Sequence, residues 1–343
     1  MAGRSGILVI LSCVMCLTAA AGEPGSVPIV YVTDLYHPHD DPDDHVDLAT
    51  LFAIPEFDIR AIVIDLGEHG KGRAGTPAIE QMMHLTGRTA PYATGLVANL
   101  ETPVDTGEEH PADTQGGVEL LLDALTGAYS PVTLFTTGSL RDVAAAYNRA
   151  PALFEGKVAR LYVNAGHSSG GKEHNVNLDP LAYQRILTSG LPIYWAPCFG
   201  EQGFETLWSF KQGEVFQDAA PPLQNFFLYA LSKTNPAEVG PIEALTKPVD
   251  KRAKATFWPL ERRMWCTGPF LDAAGYQNGP FAFRDVDIRV DDDGTTTIVR
   301  EGEGARVKAY WREATVGYRL YLQSVLRRLL KNMAIKVKVE ESG

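Results

Sequence analysis

Five aspartates crowd one short stretch of this chain, Asp34, Asp40, Asp41, Asp43 and Asp44, with His37 and His39 between them. Like charges packed this closely repel unless something positive sits among them. Hard divalent cations such as Ca2+ take carboxylate and carbonyl oxygens, whereas Zn2+ prefers His and Cys. The stretch therefore reads as a hard-cation site, able to lower the pKa of a bound water. The alternative is a solvated acidic loop whose Asp44 charges the N-terminus of the next helix, with both histidines exposed. Residue types alone leave the two readings open.

The surrounding elements give the cluster its position. Ile29 to Thr33 reads as a strand and Val46 to Ala53 as a helix, followed by a strand over Phe57 to Ile64, a Gly-rich loop to Gly75 and a helix to about His84. Helical spacing recurs over Val118 to Leu125, Leu140 to Tyr147 and from Asp179, with strands at Val132 to Phe135, Val158 to Val163 and Pro192 to Trp195. This alternation predicts βαβ units and an α/β fold, an open, mostly parallel sheet flanked by helices. In such a sheet ligands bind beyond the strand C-termini, where the acidic stretch falls. Further on, Phe204 to Leu231 reads as aromatic-rich helices, Asp285 to Val299 as a hairpin turning at Asp291 to Gly294, and Tyr318 to Leu330 as an amphipathic helix.

Arg4 precedes an apolar run, Ile7 to Ala21, that ends in three alanines. This is the anatomy of a secretory signal peptide, with a cut expected after Ala21. A membrane anchor needs about 20 apolar residues, more than the run supplies. The expected organisation is a signal over residues 1–21 and one α/β domain over residues 22–343, exported to a periplasmic or extracellular space and free of the membrane once the signal is removed. Of four cysteines, Cys198 and Cys266 remain after the signal, without metal-site spacing. They read as separate core thiols, with a single bridge as the alternative. A net charge of −11 disfavours nucleic acid and leaves small molecules and cations as partners.

Three segments carry a resemblance. Asp41-Pro-Asp-Asp-His-Val-Asp-Leu-Ala, continuing to Pro55-Glu-Phe-Asp-Ile-Arg-Ala-Ile-Val-Ile, resembles the opening of the inosine-uridine nucleoside hydrolase family, in particular a divergent Asp-Pro-Asp-Asp branch. Phe135-Thr-Thr-Gly-Ser-Leu-Arg-Asp-Val-Ala is similar to a family segment in which a threonine carbonyl joins a calcium site, which maps to Thr137. Glu173-His-Asn-Val-Asn-Leu-Asp-Pro-Leu-Ala is similar to the segment whose Glu and Asn hold ribose hydroxyls, here Glu173 and Asn175.

The resemblance implies a nucleoside hydrolase-like fold and a Ca2+-dependent hydrolase of N-glycosidic bonds in ribonucleosides or related ribosyl compounds. It implies Asp34, Asp41, Asp44, the Thr137 carbonyl and Asp272 as metal ligands, a catalytic base that is open among Asp34, Asp40 and Asp41 with Asp41 favoured, and Asp43, Glu173 and Asn175 as substrate contacts. A homo-oligomer is implied in the same way. The sequence also departs from the pattern. The distance from Asp34 to Asp43 is longer than the family's spacing, Gly67-Glu68 stands where a Gly-Asn is usual, and the histidine that serves as leaving-group acid has no counterpart, leaving His167 or His174 as substitutes. Two other readings remain: a carbohydrate- or nucleoside-binding protein of the same fold that has lost turnover, and an exported glycoside hydrolase using two carboxylates without metal.

Overall fold

The computed structural model describes residues 25–201, 203–276, 278–302, 306–313 and 315–340, so the signal segment, residues 1–21, lies outside it. Runs of Val, Ile, Tyr and Phe form β1 (Val27–Thr33), β2 (Phe57–Ile64), β3 (Tyr92–Thr94), β4 (Val132–Thr136), β5 (Val158–Val163) and β6 (Ile193–Trp195). They continue with β7 (Trp208–Lys211), β8 (Glu261–Met264), β9 (Phe281–Val290), β10 (Thr296–Glu301) and β11 (Val307–Arg312). Among the described residues, nine strands make one sheet in the order β10-β9-β11-β6-β5-β4-β1-β2-β3, and β7 pairs with β8 apart from it. Pairing is parallel from β11 through to β3, while β9 runs antiparallel to both neighbours.

Both faces of the sheet are covered. Ile29 and Tyr31 of β1 enter one core with the helices Asp43–Ala53, Thr76–Thr86 and Pro221–Leu231, whereas Val30 and Val32 enter a second core with Gly116–Thr126, Arg141–Arg149 and Pro180–Leu187. This period-two division explains why β1 is apolar throughout rather than alternating. From β1 the chain steps outward to β2 and β3, then returns to form β4 on the other flank of β1. The reversal opens a crevice beyond the ends of β1 and β4, the usual ligand position in sheets of this kind.

Two local expectations change. The first helix begins at Asp43, not Val46, because Pro42 sets its start and Asp43 and Asp44 occupy a first turn whose free N–H groups favour negative charge. The aromatic-rich stretch after Phe204 begins with strand β7, and helix appears only at Gln212–Phe216 and Pro221–Leu231. The hairpin forms as β9 and β10, with the Asp291 amide bonded to the Thr295 carbonyl at 2.9 Å and Gly294 at φ +79°. Among the described residues no helix is long and apolar enough to cross a membrane.

Candidate active site

A cavity of about 390 Å3 occupies this crevice. Asp34, the first residue past β1, lines it together with Asp43 and Asp44 from the first turn of the helix, and Thr137, the first residue past β4. Asp44 is buried; one of its oxygens accepts hydrogen bonds from the Thr33 hydroxyl at 2.8 Å and the Thr137 hydroxyl at 3.3 Å. Its carboxyl also stands within hydrogen-bonding reach of Asp34. Gly138 lets the β4 loop approach this closely, since a Cβ there would lie 2.8 Å from Asp65 Oδ2 and 2.9 Å from Asp34 Cβ. Gly138→Ala is expected to cost about 1–3 kcal/mol of stability by overpacking and to weaken ligand binding, measurable by thermal unfolding and by titration.

Among the described residues, no ion pair reaches Asp34, Asp43 or Asp44, the neighbouring Arg141 and Arg262 being paired with Asp65 and Asp41 instead. Burial raises the Asp34 carboxyl well above its usual range, and the nearby Asp44 and Asp65 raise it further. Asp43 is raised by burial and by Asp44 and Asp47. Burial pushes Asp44 up to about 6 despite the two threonine hydroxyls. The oxygen-only character of the donors fits a hard divalent cation, which would relieve this repulsion. Among the described residues, no three His, Cys, Asp or Glu side chains already close around one point, so a bound cation would also draw on the Thr137 carbonyl and on solvent. That carbonyl accepts the Asn175 side-chain amide at 3.0 Å and has a second lone pair.

Glu173 and Asn175 form the adjoining wall. The Glu173 carboxylate caps the short helix His174–Leu178, with Oε2 accepting the Gly166 and Val176 amides at 2.9 and 3.1 Å and Oε1 accepting the Asn175 amide at 3.1 Å. Oε1 therefore keeps capacity for a hydroxyl donor. Asn164, the first residue past β5, is 1% exposed and lines the same cavity with neither side-chain atom hydrogen-bonded. An unpaired buried amide costs about 1–3 kcal/mol. Both atoms of this amide are left free for a ligand that offers a donor and an acceptor.

Asp41 and Asp272 do not take the positions expected of them. The loop after Asp34 bulges outward, so Asp41 reaches only the cavity mouth, with a half-exposed carboxylate ion-paired to Arg262. Asp41 is thereby held by Arg262, whereas Asp34 lines the cavity beside Asp44. Asp272 instead accepts the Tyr162 hydroxyl at 2.5 Å and lies 3.7 Å from Arg160, in a separate groove. The cavity is lined by Trp265 and Cys266, just before the helix Thr267–Ala273. Six residues of helix at about 1.5 Å each carry Asp272 roughly 9 Å beyond Cys266.

Cys198 and Cys266 are free, buried thiols, and both border the cavity. His39 is buried against His45 and does not line the cavity, while His174 lines it and His167 packs near Phe199. Asn164, Asp65 and His69 were not singled out from the sequence. Asp65, the first residue past β2, accepts the Ser139 amide at 2.6 Å and Arg141 at 3.1 Å, which anchors the Thr137 loop. Phe199 and Trp265 meet edge to face at 6.2 Å and give the cavity an aromatic wall, and His69 and His174 also line it.

Comparison with known proteins gives this geometry a context. A sequence model of the inosine-uridine preferring nucleoside hydrolase family matches residues 38–299. The pyrimidine-specific ribonucleoside hydrolase RihA of Citrobacter koseri is 26% identical over 192 residues, a match that spans 50% of this chain and 60% of the relative's own length. A solved plant nucleoside hydrolase superposes with a TM-score of 0.57 at 17% identity, covering 90% of this chain and 100% of that one. A purine-preferring ribonucleoside hydrolase from Gardnerella vaginalis gives 0.55 at 14%, covering 89% and 99%. The solved structures, at such low identity, establish the fold alone. The family match extends over well more than half the sequence and includes the Asp43, Thr137 and Glu173 segments: the chain belongs to the inosine-uridine preferring nucleoside hydrolase family.

Proposed function

We propose that this chain is an exported hydrolase that breaks the N-glycosidic bond of ribonucleosides or related ribosyl compounds, with Ca2+ held by Asp34, Asp44 and the Thr137 carbonyl. The observation that carries this reading is the convergence of uncompensated carboxylates and the unpartnered Asn164 amide in one crevice. A divalent cation bound there would supply a water of lowered pKa and a grip on the ribose diol.

The chain's own groups then divide the remaining work. Cleavage builds positive charge on the sugar ring, which the ionised Asp34 and Asp43 offset. Asp34 takes a proton from the attacking water as the C1′–O bond forms and the C1′–N bond breaks. Asp43, Asn164, Asn175 and Glu173 Oε1 hold the ribose hydroxyls. The departing base lies against Phe199 and Trp265, whose indole N–H is unpartnered and donates to an acceptor atom on it. The relatives are named for both pyrimidine and purine preference, so both kinds of substrate belong in the test.

Export rests on the leader-like residues 1–21, with residues 22–343 as one catalytic domain. The deciding assay measures free ribose from inosine, uridine and p-nitrophenyl ribofuranoside, using protein stripped by a chelator and then resupplied with Ca2+. Ribose release that collapses on chelation and returns with Ca2+ is the expected result. Tight nucleoside binding without ribose release would favour the binding-protein alternative and end the hydrolase reading.

A further inference from the structure

Breaking a bond to nitrogen leaves a base that needs a proton, and that requirement can be matched to the cavity's side chains. The acidic floor receives protons. Trp265 donates a hydrogen bond but holds no transferable proton. Burial raises the thiols of Cys198 and Cys266. Asp41 is tied to Arg262. Tyr36 keeps its hydroxyl on the Asp65 and Leu66 carbonyls at 3.2 and 3.1 Å, and burial raises it. Among the described lining residues this leaves the two histidines at the mouth, His69 and His174.

Their settings differ. His69 Nε2 lies 2.6 Å from Asp40 Oδ2, and both Asp40 oxygens are gripped by Arg73, Nη1 to Oδ1 at 2.9 Å and Nη2 to Oδ2 at 2.8 Å. Arg73 also donates to the His69 carbonyl at 2.8 Å and to the Pro38 carbonyl at 3.3 Å, so one guanidinium fixes the carboxylate, the imidazole's backbone and the loop that carries Asp40. That loop is the stretch by which the Asp34 to Asp43 spacing exceeds the family pattern. It is anchored by a bridge from Tyr36 to Ala74 and by the His37 amide on the Arg73 carbonyl at 2.8 Å. A carboxylate held on one imidazole nitrogen fixes the tautomer and directs the other nitrogen elsewhere.

We propose that His69 is the leaving-group acid and Asp40 its positioning residue, the longer loop having brought a carboxylate to an imidazole at the mouth through which the base leaves. This assignment rests on the nucleosidase reading. In the step, protonated His69 keeps its Nε2–H on Asp40 and gives its Nδ1 proton to the departing nitrogen as the C1′–N bond breaks. Asp34 gains the proton lost by water, so protons and charge balance without a further reactant. His69 is half-exposed, as suits a group at the opening through which the base leaves.

The test compares natural nucleosides with p-nitrophenyl ribofuranoside, whose phenolate leaves without a proton. His69→Gln is expected to lower kcat on inosine or uridine by roughly 10²- to 10⁴-fold and to lower it on the nitrophenyl substrate at least tenfold less. Asp40→Asn shows the same split at smaller size, and added imidazole restores part of the nucleoside activity of His69→Ala. A purely structural role for the loop would depress all substrates alike. Equal losses on both substrate types, or a split that follows His174→Gln instead, overturns the assignment. Wild-type inactivity on every substrate overturns the nucleosidase reading and this assignment with it.

Discussion

Asp34→Asn is expected to lower ribose release by about 10³-fold or more while leaving the metal-free protein folded and more resistant to heat. Both effects have one origin. Asp34, Asp43 and Asp44 repel one another in a buried setting, and removing one charge relieves that repulsion in the absence of a cation. The same change removes the proton acceptor for water and an oxygen ligand, losses worth several kcal/mol of transition-state stabilisation. Binding of Ca2+ at about 100 times Kd stabilises a folded protein by about 2.7 kcal/mol, so the wild type should show a Ca2+-dependent rise in Tm that the variant lacks. Because carboxylate ligands must be deprotonated, that rise should be larger at pH 7 than at pH 5. A variant that keeps its turnover and its Ca2+ response would remove Asp34 from the mechanism.

Arg141→Met is expected to be among the most destabilising single substitutions in the chain. Arg141 is 2% exposed and donates to Asp65 at 3.1 Å, Asp179 at 3.3 Å, the Leu96 and Leu178 carbonyls at 3.3 and 3.2 Å, and Asn99 at 2.9 Å. Removing one partner of a buried ion pair costs roughly 3–5 kcal/mol, because the other charges stay behind. Here Asp65 and Asp179 would be stranded, and Asp142 loses a neighbour that lowers its pKa. For a chain of this size the loss corresponds to a fall in Tm of roughly 4–7 °C. Arg141→Lys should rescue little, since an ammonium with three donors cannot reach the five acceptors that the guanidinium fork serves. The node also joins the two walls of the site: Asp65 holds the Ser139 amide beside Thr137, and Asp179 caps the helix that follows Asn175. Thermal unfolding checks the first consequence. Weaker nucleoside binding by Arg141→Lys at a temperature where it remains folded checks the second.

Much of this arrangement was legible in the sequence because it follows from periodicity. Apolar β-branched runs alternating with helical patterns give the parallel sheet, and the Asp-rich stretch after the first strand falls in the crevice that such a sheet must have. Glu173 and Asn175 were found through a motif. Asn164 and Asp65 were missed, although both obey the rule that exposes Asp34 and Thr137: each is the first polar residue past the end of an apolar parallel strand. Applied to β2 and β5, that rule would have found them.

The errors have physical causes as well. The longer loop leaves the base open among Asp34, Asp40 and Asp41 in sequence, and in the folded chain Arg262 pairs with the favoured Asp41 at the cavity mouth. Asp272 was placed by segment order, which ignores helical rise. His69 lay in a Gly-rich loop with nothing nearby to mark it, and its Asp40 partner is 29 positions away. Such a pairing is set by tertiary contacts, which a single sequence does not display.

The most direct test of the central claim is a crystal structure of the protein with Ca2+ and ribose. The account predicts one cation bound by Asp34, Asp44 and the Thr137 carbonyl, with ribose hydroxyls reaching the cation, Asn164 and Glu173 Oε1. A cation at Asp272 or among the mouth carboxylates, or ribose bound outside the crevice between β1 and β4, would contradict it.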